Sequence, residues 1–276
     1  MTELSNCGVI IAAFRGSVMY RKLALFAFGL VATPALAAPI DGTWLVDINS
    51  AQLSAKPKMR NLAGGVYRCS SCAPAYSVPA DGKFHAIKGD PYGTEVSVKP
   101  IDAKSVAFAY QAKGKPTGSS VGKVSANGKS MTWSSKSVED DGTVTSSEGS
   151  DVRIAAAPKG AHAISGSWRN GKVTAMDAKA LTVSFKDDGK MFHSMSPTGN
   201  SYDAPIGGKP VPIAGDTTGT LVSVRRAGPT TYMTSYWLNG KQMSETTIRV
   251  VNPKTISFSV ADTRTGRITR YSAAKQ

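Results

Sequence analysis

The residues suited to chemistry are few. Cys69-Ser70-Ser71-Cys72 is the sharpest local pattern, and the remaining cysteine, Cys7, stands near the start of the chain. Two cysteines in an oxidising compartment pair into a small structural disulfide, which is the favoured expectation for Cys69 and Cys72. A redox-active pair is the second reading, but it needs a helix N-terminus to stabilise the thiolate. Here the flanks are the strand-like Gly65-Val66-Tyr67-Arg68 and a turn at Pro74. Zinc, the third reading, would find half a site and no histidine at finger spacing. Covalent haem is excluded because residue 73 is Ala rather than His. No motif brings a serine and an aspartate to His85, His162 or His193, so these are expected to be solvated or satisfied side chains. Glu139-Asp140-Asp141 reads as a charged turn. No catalytic residue, metal site or cofactor is expected.

The elements that carry these residues are written twice. Asp81-Gly82-Lys83 through Gly89-Asp90 and Gly93-Thr94-Glu95-Val96-Ser97-Val98 return 126 positions on, as Gly207-Gly208-Lys209 through Gly215-Asp216 and Gly219-Thr220-Leu221-Val222-Ser223-Val224. Ile40-Asp41-Gly42-Thr43-Trp44 pairs with Ile164-Ser165-Gly166-Ser167-Trp168 at an offset of 124, Tyr76 with Tyr202 and Tyr110 with Tyr236 at 126. Each copy is about 115 residues, enough for its own core. The expected boundaries are 38–154 and 164–276, joined by a linker at 155–163 rich in Ala, Pro and Gly. Cys69 and Cys72 fall opposite Met195 and Thr198, so the fold does not require them.

Tyr20-Arg21-Lys22, the apolar run 23–32 and Pro34-Ala35-Leu36-Ala37-Ala38 form the n-region, h-region and small-x-small site of a secretory signal peptide. Residues 1–37 are expected to be removed after Ala37, Met19 is a candidate true start, and the mature protein is expected to be periplasmic or secreted. The apolar run is shorter than the ~20 residues of a spanning helix, and no transmembrane segment is expected after cleavage. Loss of Arg15, Arg21, Lys22 and Glu3 leaves 30 basic and 18 acidic side chains, a net charge of +12. Such a surface attracts anionic envelope lipid or polysaccharide. Its lysines are scattered through turns, unlike the clustered base and interleaved aromatics of a nucleic-acid site, so no nucleic-acid partner is expected.

Short runs alternate apolar and polar residues at 95–99, 105–110, 119–125, 131–135 and 143–145, and again at 181–185, 221–224, 231–236, 246–251 and 255–260. Period two with Val, Thr, Tyr and Phe argues half-buried strands. Asp81-Gly82, Asn127-Gly128, Asp141-Gly142, Asp188-Gly189 and Asn239-Gly240 supply hairpin turns between them. The pattern predicts an all-β antiparallel meander, closed as a barrel or stacked as a β-sandwich or open meander repeat.

Gly42-x-Trp44 and Gly166-x-Trp168 resemble the first-strand Gly-x-Trp of lipocalins and related calycins. That likeness implies two tandem up-and-down barrels in which Trp44 and Trp168 close one end and a terminal arginine covers each; Arg153 and Arg270 fall near the ends of the copies. The rest of each repeat resembles a family of uncharacterised exported bacterial proteins through Asp81-Gly82-Lys83, Gly89-Asp90-Pro91, Val96-Ser97-Val98, Gly114-Lys115 and Asn127-Gly128-Lys129-Ser130-Met131-Thr132. This family implies no activity or ligand.

The repeated tyrosines Tyr76, Tyr110, Tyr202 and Tyr236 then have two readings: core packing, or a pocket in the barrel mouth where their hydroxyls orient a largely apolar ligand. The favoured expectation is a non-enzymatic, exported, lipocalin-like protein binding a small apolar or amphipathic ligand or acting at the cell envelope. The rivals are a periplasmic thiol-disulfide protein using Cys69 and Cys72, and a structural or adhesion module for anionic glycolipid or polysaccharide.

Overall fold

In the computed structural model, which describes residues 37–139 and 141–276, strands make up most of the described residues. The expected leader falls outside the described residues except for Ala37. From the first repeat come β1 (Gly42–Ser54), β2 (Lys58–Ala63), β3 (Val66–Cys69), β4 (Tyr76–Pro79), β5 (Phe84–Ala86), β6 (Thr94–Pro100), β7 (Ser105–Ala112), β8 (Lys115–Val124), β9 (Ser130–Val138) and β10 (Val144–Ala155). The second supplies β11 (Gly166–Met176), a single-turn helix α1 (Ala178–Leu181), β12 (Thr182–Asp187), β13 (Met191–Met195), β14 (Ser201–Pro205), β15 (Val211–Pro212), β16 (Leu221–Gly228), β17 (Thr231–Leu238), β18 (Lys241–Asn252), β19 (Thr255–Asp262) and β20 (Arg267–Lys275). Every alternating run read from the sequence lies within or against one of these strands. No helix among the described residues is long and apolar enough to cross a membrane.

The strands form two nearly closed antiparallel ten-stranded sheets, and these do not follow the repeat boundaries. One sheet runs β4-β3-β2-β11-β10-β9-β8-β7-β6-β5, the other β14-β13-β12-β1-β20-β19-β18-β17-β16-β15. Each repeat therefore gives its first strand to the other barrel. β1 pairs with β12 through Gly42↔Phe185 and Trp44↔Val183, and with β20 through Trp44↔Lys275. β11 lies between β2 and β10 through Trp168↔Lys58 and Arg153↔Trp168. β1 ends at Ser54 and β2 begins at Lys58, with Pro57 holding the residue before it extended, while β11 passes to β12 through α1. Strand exchange through a short hinge is a familiar route to such interlocking.

The core follows the exchange. Trp44 is fully buried among Val183, Phe185, Phe192, Ile256 and Phe258, all from the second repeat. Trp168 is fully buried among Leu62, Tyr67, Val96 and Met131, all from the first. Each indole nitrogen donates to the carbonyl four residues before it, Trp44 to Ile40 and Trp168 to Ile164, both at 2.9 Å. Side chains at the head of each exchanged strand lock it to its host: Asp41 Oδ1 accepts from the Asp187 amide and Ser165 Oγ from the Leu62 amide, both at 2.8 Å. Gly42 and Gly166 have φ of +129° and +110°, and a Cβ on Gly166 would come within 2.5 Å of the Ala155 carbonyl oxygen. Only glycine fits before the tryptophan.

The barrel-end arginines need one correction. The Arg153 guanidinium lies 4.0 Å from the Trp168 ring centroid and donates to the carbonyls of Gly128, Ala163 and Ser165 at 2.5–2.6 Å. Trp44, however, is covered by Lys275, whose Nζ is 5.3 Å from its ring, while Arg270 is exposed. Arg153 N bonds to Lys129 O and Lys275 N to Lys254 O, so these two terminal bases are the equivalents; Arg270 sits five residues too early on β20 to reach the tryptophan.

Two outcomes follow. Residues 38–158 and 159–276 produced separately are each expected to fail as folded monomers, because each lacks the strand that fills its own sheet; co-expression is expected to restore a stable complex, read by size-exclusion chromatography and circular dichroism. Arg153→Ala, which strands three carbonyls and uncovers Trp168, is expected to cost about 2–4 kcal/mol in denaturant unfolding, against less than about 1 kcal/mol for Lys275→Ala.

Candidate ligand-binding site

One cavity of about 270 Å³ is shared by the two barrels and is lined from both repeats. Its walls include Tyr76 and Tyr110 from the first repeat and Tyr202 and Tyr236 from the second. Tyr110 and Tyr202 are buried, Tyr76 and Tyr236 half-buried. They arrive there because each pair occupies one register in its barrel: Val96↔Tyr110 between β6 and β7, and Val222↔Tyr236 between β16 and β17. Likewise Cys69↔Tyr76 and Ser194↔Tyr202 place the other pair on β4 and β14. The structure thus brings together all four tyrosines singled out from the sequence.

The cavity does not penetrate the barrels equally. In the second it reaches Phe185, Thr234, Ile248 and Phe258. In the first it stops at the mouth, against Pro74, Ile87, Tyr92 and Ala112. Residue pairs related by the repeat explain why. Phe108 occupies the position of Thr234, and its ring packs 5.2 Å from Tyr67 at 69°. Trp133 occupies that of Phe258. At this level Phe108 fills the first interior, and the smaller Thr234 leaves the second open. Tyr202, Phe185, Phe258 and Tyr271 line that opening and, with Phe192 packed behind them, form a continuous run of rings with successive centroids 4.7–6.5 Å apart.

Charged groups sit at the mouth. Asp262 is buried and accepts from Arg264 Nη2 at 3.1 Å, with Arg267 Nη2 at 3.8 Å. The Arg264 guanidinium reaches across to the first barrel, 5.6 Å from the Tyr92 ring centroid. Burial pushes the Tyr202 hydroxyl well above the ordinary tyrosine range and raises that of Tyr236 as well. Tyr92 is raised too, by burial, against the opposing pull of Arg264. The phenols are therefore neutral donors or acceptors through physiological pH, which suits orientation of a ligand rather than proton transfer.

Cys69 and Cys72 form a disulfide, and Cys72 lies on the cavity rim. Cys69 is buried and no helix among the described residues adjoins it, so the arrangement lacks the thiolate-stabilising dipole of a redox-active pair. Ladder registers place Cys69 opposite Ser194, one residue before the Met195 that simple alignment picks. None of the histidines reaches the cavity. His85 pairs with Asp81 at 2.9 Å and His193 with Asp203 at 2.7 Å, while His162 Nε2 contacts the Asp102 carbonyl oxygen at 2.6 Å. No group of three or more metal-binding side chains occurs among the described residues.

Reading the sequence missed Phe185, Phe258 and Tyr271 as site residues, and it placed Asp90 and Asp216 in the repeat without a role at a site. The last two carried a usable signal, since both recur at the repeat offset. Arg264 and Arg267 carry none, lying in a hairpin whose approach to the other barrel is not encoded locally.

No family model matches the chain, and no curated protein does. Among solved structures it is similar to a protein of unknown function from the DUF3598 family of Nostoc punctiforme, at 8% identity over 86% of this chain and 97% of that one, with a TM-score of 0.22. A likeness at that level carries no argument.

The tyrosines give an alkaline signature. A hydroxyl whose folded pKa is raised above about 10 contributes stability that is complete below pH 10 and lost as pH rises past it. Folding stability is expected to fall steeply above pH 10, with phenolate absorbance appearing together with unfolding, and Tyr202→Phe is expected to make that fall shallower.

Proposed function

We propose that this protein is an exported, non-enzymatic, lipocalin-like carrier that holds a small amphipathic molecule between its barrels. The single observation supporting the reading is that the four tyrosines kept in both repeats line one cavity of about 270 Å³. That size is near the lower end of small-molecule sites. Apolar aromatic walls with neutral hydroxyls offer burial for a hydrocarbon or ring and hydrogen bonds for one polar end. The first barrel, filled by Phe108 where the second has Thr234, serves as a cover; the second receives the ligand. Export is supported by the basic, apolar and Ala-x-Ala segments of residues 20–38 and by a disulfide suited to an oxidising compartment. The absence of catalysis is argued from the histidines, each satisfied away from the cavity by a carboxylate or a carbonyl.

Native mass spectrometry of the protein purified from its own envelope is expected to show a co-purified mass of one small molecule. Thr234→Phe restores the residue type of the first barrel and is expected to remove that mass while leaving the thermal midpoint unchanged or raised. Retention of the ligand by a folded Thr234→Phe protein counts against this cavity as its site.

A further inference from the structure

The chain carries an excess of basic residues, 33 against 19 acidic, yet its cavity is charged the other way. Four carboxylates line it, those of Asp90, Glu139, Asp216 and Asp262, against the guanidiniums of Arg264 and Arg267, and no lysine does. Both arginines are engaged by Asp262. Asp90 and Asp216 are the same turn residue in the two repeats, so one stands on each barrel at the mouth. Their hydrogen bonds come from uncharged donors: the Tyr92 amide at 2.8 Å for Asp90, and the Thr218 and Thr220 amides with the Thr218 hydroxyl at 2.5–3.0 Å for Asp216. Such donors hold the carboxylates in place without supplying a countercharge.

Behind these carboxylates the walls are rich in tyrosine rings. Six tyrosines reach the cavity, Tyr76, Tyr92, Tyr110, Tyr202, Tyr236 and Tyr271. A ring face carries negative quadrupole density that attracts a cation, more strongly where water is excluded. One of these rings already holds a cation of the protein's own, with Arg264 over Tyr92. Aromatic walls under an acidic mouth form a site for an organic ammonium.

We propose that the cavity selects an amphipathic cation, an ammonium head on a short apolar tail, with the head between Asp90, Asp216 and the tyrosine rings and the tail against Phe185 and Phe258. The inference rests on the carrier reading given above and names the ligand class of that same site. A fatty-acid-like anion would meet like charge at the mouth, and a neutral alcohol would gain burial without the electrostatic contribution.

Isothermal titration of the purified protein with octyltrimethylammonium, octanoate and octanol, each below its micelle-forming concentration, separates these cases. The cation is expected to bind about tenfold or more tighter than octanol, and octanoate most weakly. In the Asp90→Asn/Asp216→Asn protein the amide oxygens can still accept from the turn amides, and the preference for cation over octanol is expected to drop about tenfold. Equal or tighter binding of octanol or octanoate, or a preference unmoved by the double substitution, overturns the charge selection while leaving a carrier. No binding of any of the three overturns both readings.

Discussion

Two tryptophans, each buried in a core built by the other repeat, are what the remaining architecture depends on. Trp44 enters the second barrel and Trp168 the first, and neither exchanged strand can leave without exposing a large aromatic side chain, a change of the kind that costs about 3–5 kcal/mol in a packed core. The exchange also fixes the relative position of the barrels, because β1 and β11 run from one into the other. A cavity shared between two sheets requires that fixed relation. In tandem barrels joined by a loose linker, the tyrosines of the two repeats would face each other only by chance.

Duplication gave the protein two copies of one plan, and a few side chains make them unequal. Phe108 fills the first interior at the level where the smaller Thr234 leaves the second open. The terminal base differs as well: Arg153 gathers three carbonyls under its fork while Lys275 offers a point charge over Trp44. Arginine's planar, multidentate head accounts for the difference.

Electrostatics separate the outside from the mouth. Scattered lysines make the surface basic, while Asp90, Glu139, Asp216 and Asp262 concentrate the opposite sign at one opening. A cleft in which one sign predominates focuses its field between low-dielectric walls, and the ligand class proposed above rests on that local sign rather than on the overall charge.

Much of the fold was legible in the residues. Period-two alternation and Asp-Gly or Asn-Gly turns determined the strands, because side-chain alternation and positive φ are local properties. Repetition of Gly-x-Trp and of four tyrosines marked both barrel ends, and Cys69-x-x-Cys72 marked its own bridge. Which barrel each first strand joins was decided only in three dimensions, since β1 has the same alternation whether it folds back at Pro57 or crosses over. The same holds for Lys275 in place of Arg270, where a shift of five residues along β20 is invisible without the ladder register. The cavity, too, is a property of packing: Thr234 and Phe108 are both acceptable inward-facing strand residues, and only the volume left beside them separates a filled barrel from one that can hold a ligand.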